Sequence, residues 1–390
     1  MATWRLDPEI DYLNHGSYGA CPAEVLGQQQ RWRDELEREP MRFFGEVYQP
    51  ALDDARNELA TFVGADPAGL VFVPNATTGA NAVLRSMERA LLPGDELLTT
   101  SHAYNACRNA LEATAARAGA RVVVASVPFP LEDPSEVAAA VLGSVTDRTR
   151  LALLDHVTSP TAVRFPIEAL VATLEPRVPV LVDGAHAPGM VPLGLDALGA
   201  SFYVGNCHKW LCAPKGAGFL HVREDYRERV LPVTISHGWN GGWGGDNRLH
   251  ALFDWTGTTD PTPALCVPAA LQTIGALDPR GWPGVMEANR DLALQARDIL
   301  AGALGVEAPA PDDMLGAMAT LPLPDSSRRV TDRSLDALSA LLRERGFTVP
   351  VFVWPAWPSR VLRVSAQRYN LLDQYQRLAV TLRELLDGGG

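Results

Sequence analysis

The chain is poor in lysine. Of its 34 lysine and arginine residues, only Lys209 and Lys215 are lysines, and they stand within seven residues of each other. Arginine replaces lysine as a solvated charge, but its guanidinium stays protonated and cannot serve as an amine nucleophile. The two retained lysines are therefore candidates for amine chemistry. The alternative is drift in an arginine-rich background that left two surface lysines.

Other scarce features narrow the class of protein. The five cysteines are odd in number and lack CxxC spacing, which argues against a disulfide framework or a zinc site. No apolar run reaches the roughly 18 residues of a membrane span. The net charge is -12 and no block of five like charges occurs, which argues against a nucleic-acid surface. We expect a soluble, cytoplasmic protein that binds a small molecule and no metal, nucleic acid or membrane.

The length and the order of predicted elements indicate an α/β protein with two domains. A chain of 390 residues exceeds the size at which one hydrophobic core stops growing. Short apolar strands alternate with helices, which predicts a mainly parallel sheet. We expect an N-terminal segment over 1–22, a large domain over 23–282 and a smaller α+β domain over 283–390. The predicted strands include 70–73, 96–100, 121–125, 150–154, 178–182, 317–321 and 360–365; the predicted helices include 23–39, 51–63, 106–118, 265–276, 285–304, 334–344 and 371–386.

Polar clusters follow several of these strands at their C-terminal ends. They begin at Pro74, Ser101, Asp155, Asp183 and Asn206. This edge is where parallel α/β sheets bind ligands. This recurrence supports a functional role for each cluster. The glycine-rich stretch 236–245 is different, because it has no predicted strand and helix around it, and it is interpreted as a mobile loop.

Two of the polar stretches have a structural and a functional interpretation. The strand, turn and helix start around Thr77 and Thr78 would present free N–H groups to a phosphate, or form an ordinary helix cap. Asn14, His15 and Tyr18 would border a site, or build an N-terminal turn.

Together, four features match the needs of pyridoxal phosphate. The cofactor requires a phosphate site, a lysine for the Schiff base and a carboxylate at the pyridine nitrogen. Thr77, Lys209 and Asp183 supply these groups in order along strand ends. Arg363, in a late strand, would bind a substrate carboxylate with its planar fork. Asp183 as a cap or Arg363 as a surface charge would be the structural alternatives.

The chain also resembles the class V aminotransferase group of fold-type I pyridoxal phosphate enzymes over nearly its whole length. The stretches that carry the resemblance are Leu13–Gly19, Asp183–Gly189, Cys207–Trp210 and Trp255–Thr258. The resemblance implies an α/β large domain with a mainly parallel sheet, a smaller α+β C-terminal domain, pyridoxal 5'-phosphate as cofactor and a homodimer.

The resemblance implies roles around the cofactor ring. Lys209 would form the Schiff base and then act as general acid and base at the substrate Cα. Asp183 would hold the pyridine nitrogen. His186 would lie beside the phenolic oxygen, with Ser159 a further candidate there, and Tyr104 would stack on the ring face.

The same resemblance places other residues at the phosphate and the substrate. The phosphate would be bound by the backbone of Ala76 and Thr77 and by Asn206 and His208, although Asn206 departs from the serine common in relatives. Thr258, with Gly257, would reach the phosphate from the second subunit. Arg363 would bind the substrate carboxylate, with Asn14 and His15 also assigned to the substrate. Lys215 is assigned no role.

The reaction branch stays open at this level. Loss of the Cα proton is the shared first step, and the groups near Cα and Cβ then decide the product. We expect an epimerase of an amino acid or aminoacyl side chain, with a C–S β-lyase of a sulfur amino acid or an aminotransferase as alternatives. Relatives that form a persulfide carry a cysteine on the loop before the arginine strand. A persulfide-type desulfurase is disfavoured because residues 350–360, which form this loop here, contain no cysteine. A binding or regulatory protein that retains the fold is the alternative outside enzymes.

Overall fold

The computed structural model describes residues 4–241, 246–326 and 336–387. Its strands in chain order are β1 (Asp11–Tyr12), β2 (Leu70–Val73), β3 (Glu96–Thr100), β4 (Arg121–Ala125), β5 (Thr149–Asp155), β6 (Val180–Gly184), β7 (Phe202–Asn206), β8 (Gly218–Val222), β9 (Met318–Leu323), β10 (Phe347–Thr348), β11 (Val351–Val353) and β12 (Arg360–Ser365).

The helices surround these strands. In chain order they are α1 (His15–Tyr18), α2 (Ala23–Arg38), α3 (Pro40–Arg42), α4 (Tyr48–Val63), α5 (Ala76–Glu88), α6 (Asn105–Ala118), α7 (Pro134–Gly143), α8 (Ile167–Leu174), α9 (Leu195–Leu198), α10 (Arg248–Phe253), α11 (Thr262–Leu265), α12 (Val267–Gly275), α13 (Trp282–Leu304), α14 (Ala337–Glu344) and α15 (Leu372–Asp387).

The main sheet has the strand order β2-β8-β7-β6-β5-β3-β4. The strands from β7 to β4 run parallel, and β8 runs antiparallel to both of its neighbours. Successive residues of its central strands face opposite sides: Val180 and Val182 belong to one hydrophobic cluster, and Leu181 to the other. Burial on both faces explains why these strands are continuous apolar runs in the sequence. The predicted mainly parallel sheet is confirmed.

A second, antiparallel sheet has the order β11-β12-β9 and contains Arg363 opposite Thr320. The N-terminal segment joins this part of the chain, because β1 pairs in parallel with β10 and Asp11 lies opposite Phe347. The long helix α13 begins at Trp282 and precedes every strand of the second sheet. The division at 282 and 283 stays a prediction.

Most predicted elements coincide with observed ones because local signals define their ends. Gly64 and Gly119, both in the left-handed conformation, end α4 and α6, as glycine at this position commonly does. The Asn75 side chain accepts a hydrogen bond from Thr78 N–H and begins α5.

The structure differs from the predictions at four points. The expected helix 265–276 corresponds to α12, which begins at Val267, and the separate helix α11 ends at Leu265; Pro268 has no N–H to continue the hydrogen bonding across Cys266. Helices α8 and α10 were not predicted. In the glycine-rich stretch the structure has a 3-10 turn at His237–Asn240, and 242–245 lie outside the described residues. The predicted helix 334–344 begins at Ala337, and its first two positions also lie outside them.

None of the described helices is both long and apolar enough to cross a lipid bilayer. Within the same ranges, no group of three or more His, Cys, Asp or Glu residues is placed to hold a metal ion. All five cysteines are buried as free thiols.

Candidate active site

The carboxyl ends of β6 and β7 bring Lys209 to His186. The two strands are parallel, with Asp183 opposite Val204, so the turns that follow them leave the sheet side by side. Lys209 Nζ lies 3.1 Å from His186 Nε2. The Nδ1 of His186 is buried and has no hydrogen-bond partner among the described residues. A buried polar atom without a partner is costly, so this nitrogen is available to a ligand.

Burial lowers the pKa of both Lys209 and His186. Burial and then the charge of Arg363 lower the pKa of Lys209 to about 7, against the opposing effect of Asp183. Burial and the nearby Lys209 and Arg363 lower the pKa of His186 well below its usual value. An amine with a pKa near neutrality can both accept and return a proton.

The Asp183 carboxylate is held by two donors. Ala185 N–H donates to Oδ1 at 3.0 Å, and the Cys107 thiol donates to Oδ2 at 3.1 Å. An ionised carboxylate has about four acceptor sites, so acceptor capacity remains for a further donor such as a pyridinium N–H. Sequence reasoning did not find Cys107, because only the packing of α6 brings it to the end of β6.

Asp155 is a second carboxyl group next to Asp183. The two residues are register partners on β5 and β6, and both are buried. Burial and the charge of Asp183 raise the pKa of Asp155 well above its usual value. Two like charges in a buried site favour protonation of one of them. The proton of the pair is therefore favoured on Asp155. The sequence signal for Asp155 was its place at the end of β5, which matches that of Asp183 on β6.

At the start of α5, one backbone donor remains available. Ala76 N–H donates to Asn206 Oδ1 at 2.9 Å, and Thr78 N–H donates to Asn75 Oδ1 at 2.9 Å. The Thr77 N–H has no acceptor within the described ranges. A helix N-terminus with a free N–H attracts an anion. Of the residues predicted for the phosphate, Thr77 is thus available, while Ala76 and Asn206 are bonded to each other.

His208 is also hydrogen-bonded within the protein. Its Nδ1 donates to the carbonyl oxygen of Ala217 at 2.9 Å, and burial lowers the pKa of its ring to about 4. In the neutral ring this leaves Nε2 as an acceptor. His208 would have to gain a proton before Nε2 could donate to a phosphate.

Arg363 lies buried without an acidic partner. Its Nη1 donates to the Ser159 carbonyl at 2.7 Å, and its Nη2 donates to Ser17 Oγ at 2.9 Å and Asn14 Oδ1 at 3.3 Å. The guanidinium also lies 5.1 Å from the centre of the Phe352 ring. No ion pair with a described carboxylate is formed, and Nε has no partner there.

A buried guanidinium that lacks a counter-ion is suited to an anionic ligand, because burying an unpaired charge is costly. Burial lowers the pKa of Arg363 to about 10, which still leaves the side chain charged at neutral pH. The structure places Ser159 and Asn14 at this arginine, and it adds Ser17, which sequence reasoning missed. The signal for Ser17 was its place in the same turn as Asn14.

Tyr104 stands at the beginning of α6 and is 44% exposed. Burial of the remainder, with the neighbouring Cys107, Tyr18 and Asp183, raises the pKa of its phenol. Tyr104 therefore lies within electrostatic reach of the Asp183 end of the site and keeps its proton at neutral pH.

Two sets of predicted residues have surroundings that differ from the expected ones. Gly257 and Thr258 are on the loop after α10, where Thr258 is exposed and borders a surface groove of about 500 Å³ with Arg33 and Phe44. His15 is fully buried behind Lys209, and both of its ring nitrogens are bonded within the protein. That place does not suit direct contact with a substrate.

The sequence and the fold of the chain are similar to those of known proteins. The class-V aminotransferase family model matches residues 23–242. The isopenicillin N epimerase of Amycolatopsis lactamdurans is 35% identical over 97% of this chain and 96% of its own length. A putative L-cysteine desulfhydrase 2 of Oryza sativa subsp. japonica is 31% identical over 98% of this chain and 86% of its own length.

A solved structure shows the same fold at low sequence identity. It is a lysine-to-alanine variant of the cystine C–S lyase C-DES with glycine covalently linked to its PLP cofactor. The TM-score is 0.80 at 21% identity, covering 97% of each chain.

The chain therefore belongs to the class V aminotransferase family, and it is a PLP-dependent enzyme. Its cofactor is pyridoxal phosphate. The residues fit this cofactor: Lys209 is a buried amine, Asp183 has free acceptor capacity, and Thr77 N–H is an available donor at a helix N-terminus.

Proposed function

We propose that the enzyme epimerises an amino acid, or an aminoacyl side chain, by moving the proton at its Cα. The observation that carries the proposal is the arrangement of two buried cations. Lys209 has a pKa lowered to about 7, and Arg363 has no acidic partner among the described residues. The first can exchange a proton near neutral pH, and the second can bind an α-carboxylate.

Arg363 would orient the substrate. The Nη2 donors are bonded to Asn14 and Ser17, while Nε has no described partner, so part of the fork can turn to a carboxylate. Fixing the carboxylate and the amino group of an amino acid leaves only the side chain and the hydrogen to be placed around Cα. Such fixed orientation is a large contribution to rate.

Lys209 would accept the Cα proton. Pyridoxal phosphate, when bound, supplies an aldehyde that links to an amine and a pyridinium ring that accepts the electron pair left at Cα. The Asp183 carboxylate would keep the ring nitrogen protonated. His186 Nε2, 3.1 Å from Lys209 Nζ, is close enough to exchange a proton with it.

Epimerisation also needs a proton donor on the opposite face of Cα, and we assign this role to Tyr104. The phenol holds its proton because its pKa is raised, and it shares its surroundings with Asp183 and Arg363. The near full-length similarity to an isopenicillin N epimerase supports this branch.

A C–S β-lyase is the second candidate, supported by the relatives named as cysteine desulfhydrases. That reaction needs Lys209 as base and a sulfur leaving group at Cβ, and it does not need Tyr104. A persulfide route on this chain is disfavoured, since all five cysteines are buried and none lies in 350–360.

Product analysis in deuterium oxide separates the two branches. The purified holoenzyme is given isopenicillin N and, separately, L-cysteine. Recovered isopenicillin N that carries deuterium at Cα in both configurations supports epimerisation. Pyruvate, ammonia and sulfide from L-cysteine, with no isomerised isopenicillin N, would replace it with the lyase. A Tyr104→Phe variant should lose epimerisation while any β-elimination persists.

We further propose a homodimer in which Thr258 of one subunit reaches the cofactor phosphate of its partner. The support is the exposed position of Thr258 beside a groove whose lining includes none of the proposed cofactor residues other than Thr258 itself. Sedimentation should give twice the chain mass, and Thr258→Ala should weaken the cofactor affinity without changing that mass.

A further inference from the structure

His15 contacts the backbone of Lys209 rather than a ligand. Its Nε2 lies 3.0 Å from the Lys209 carbonyl oxygen, which can only accept, so Nε2 carries the proton. Its Nδ1 then accepts from the Tyr369 hydroxyl at 3.0 Å and from Ala20 N–H at 3.3 Å. Burial lowers the pKa of His15 to about 3, so the ring stays neutral and this pattern of donors persists at working pH.

The turn that carries His15 packs tightly on the Lys209 turn. Gly19 has φ +70°, and a Cβ at that position would overlap the His208 carbonyl and lie 3.0 Å from Lys209 Cα. Only glycine allows this approach. The His15 ring also lies 4.8 Å from the ring of Trp210, the residue after the lysine. The N-terminal turn thus fixes the position of Lys209 by packing on its backbone and on the neighbouring Trp210 ring.

The opposite side of the same turn holds Arg363. Ser17 Oγ and Asn14 Oδ1 both accept from Nη2, and Ser17 donates to Asn14 at 2.6 Å. Gly16 N–H donates to Ser365 Oγ at 3.0 Å, which fixes the turn to β12 itself. Asn14 and Ser17 therefore contact the Arg363 guanidinium, and His15 contacts the Lys209 backbone, although Arg363 lies in the second sheet and Lys209 follows a strand of the main sheet.

We propose that the N-terminal turn, residues 14–19, is a positioning element that sets the separation of Lys209 and Arg363. His15 acts through the Lys209 backbone, and Ser17 acts through the Arg363 guanidinium. The inference rests on the proposed roles of these two cations. It explains why this turn has His15 bonded to the Lys209 carbonyl oxygen and has Asn14 and Ser17 bonded to the Arg363 guanidinium.

The lysine arm of the proposal is tested on cofactor-free protein. Competitive acetylation with acetic anhydride from pH 5 to 11, read by peptide mass spectrometry, gives the titration midpoint of the Lys209 amine. Lys215, the second lysine of the chain, is the internal reference in each sample. The groups that face Lys209 are His186, Arg363, Asp183 and Cys107. His15→Gln leaves all of them in place, so a midpoint that rises by one pH unit or more reports displacement of the amine.

Two further variants control this result. His221→Gln removes another buried histidine, whose Nε2 lies 3.2 Å from an Asp196 carboxylate oxygen at the end of β8 opposite to Gly218, and it should leave the Lys209 midpoint unchanged. Tyr369→Phe removes one bond to His15 without a cavity and should raise the midpoint by a smaller amount; it serves if His15→Gln fails to fold. An unchanged midpoint in the folded His15 or Tyr369 variant overturns the proposal.

The arginine arm is read by binding to the holoenzyme. Glycine, which offers an amine and a carboxylate, is compared with methylamine, which offers the amine alone, by the shift in cofactor absorbance. Ser17→Ala should lower the affinity for glycine about five- to tenfold, because it removes a charge-assisted hydrogen bond that orients the Arg363 guanidinium. The affinity for methylamine should not change. Equal weakening of both ligands, or of neither, would contradict a positioning role.

These outcomes are distinct from failure of the proposed function. The acetylation midpoint needs neither cofactor nor reaction, so an incorrect reaction branch leaves it intact. A wild-type Lys209 that titrates as an ordinary lysine would instead remove the basis of the proposed function.

Discussion

The cofactor side and the substrate side of the site are built in different ways. The cofactor side consists of Asp183, His186 and Lys209, which leave neighbouring parallel strands of one sheet. The substrate side consists of Asn14, Ser17, Ser159 and Arg363, which come from three distant parts of the chain and join at one guanidinium. The first is fixed by register, and the second depends on tertiary packing.

The charges of the two sides differ as well. On the cofactor side, the Asp183 carboxylate accepts from Ala185 N–H and from the Cys107 thiol, and the raised pKa of Asp155 favours a proton on that neighbour. On the substrate side, the Arg363 charge lacks a described counter-ion. The comparison teaches that the cofactor side holds its charged groups with partners inside the protein and leaves neutral groups such as His186 Nδ1 for the cofactor, whereas the substrate side leaves a positive charge for an anionic substrate.

The largest expected effect comes from removing the amine of the cofactor side. Lys209→Ala should lower kcat by about 10³-fold or more, because no other described group at the site combines its position with a pKa near 7. Steady-state kinetics with isopenicillin N or L-cysteine measures the change. Lys215→Ala is the matched control, since it removes the other, exposed lysine and should keep wild-type turnover. Turnover preserved in Lys209→Ala would contradict the mechanism.

The second effect is on the substrate side. Arg363→Lys keeps a positive charge but loses the planar fork, so we expect kcat/KM to fall about 10²-fold, mainly through KM. The affinity for methylamine should not change, because it has no carboxylate. If kcat falls instead and KM is unchanged, the arginine belongs functionally to the cofactor side.

The third prediction compares the two neighbouring carboxyl groups. Asp183→Asn removes the charge that would hold a pyridinium nitrogen and should weaken cofactor binding about tenfold or more. Asp155→Asn should change it less than about threefold, because an amide resembles a carboxyl group that already carries a proton. Fluorescence titration of the cofactor-free proteins measures both. A larger loss in the Asp155 variant would reverse the assignment of the proton.

A smaller and more general effect concerns pH. Burial lowers the pKa of His15 to about 3 and of His102 and His156 to about 4. Below pH 6.5 these histidines are protonated in the unfolded chain but not in the folded chain. The free energy of unfolding should therefore fall as the pH drops from 6.5 to about 4. Each histidine contributes about 1.4 kcal/mol per pH unit at most.

Urea unfolding of the cofactor-free protein at pH 7.5, 6 and 5 measures this slope. His15→Gln should flatten it relative to wild type, while the exposed His237→Gln should leave it as it is. A slope that is unchanged by His15→Gln would mean that this ring is protonated in the folded state.

The cofactor side could be predicted from the sequence more fully than the substrate side. The strand ends that carry Asp183 and Lys209 were predictable, because apolar runs and turn residues are local signals and parallel strands share an edge. Arg363 was predictable as a residue, but its contacts with Ser17 and Ser159 arise from packing between segments far apart in sequence. His15 was assigned to the substrate because the sequence gives the residue type but not the direction of its ring, which follows from tertiary packing.

The lysine that carries the cofactor is the central claim, and borohydride reduction of the holoenzyme tests it most directly. The chain has only two lysines, so peptide mapping after reduction gives a clear choice. We predict a cofactor adduct on the peptide that contains Lys209, loss of the visible absorbance band and an unmodified Lys215. An adduct on Lys215, or a cofactor that washes away after reduction, would contradict the account.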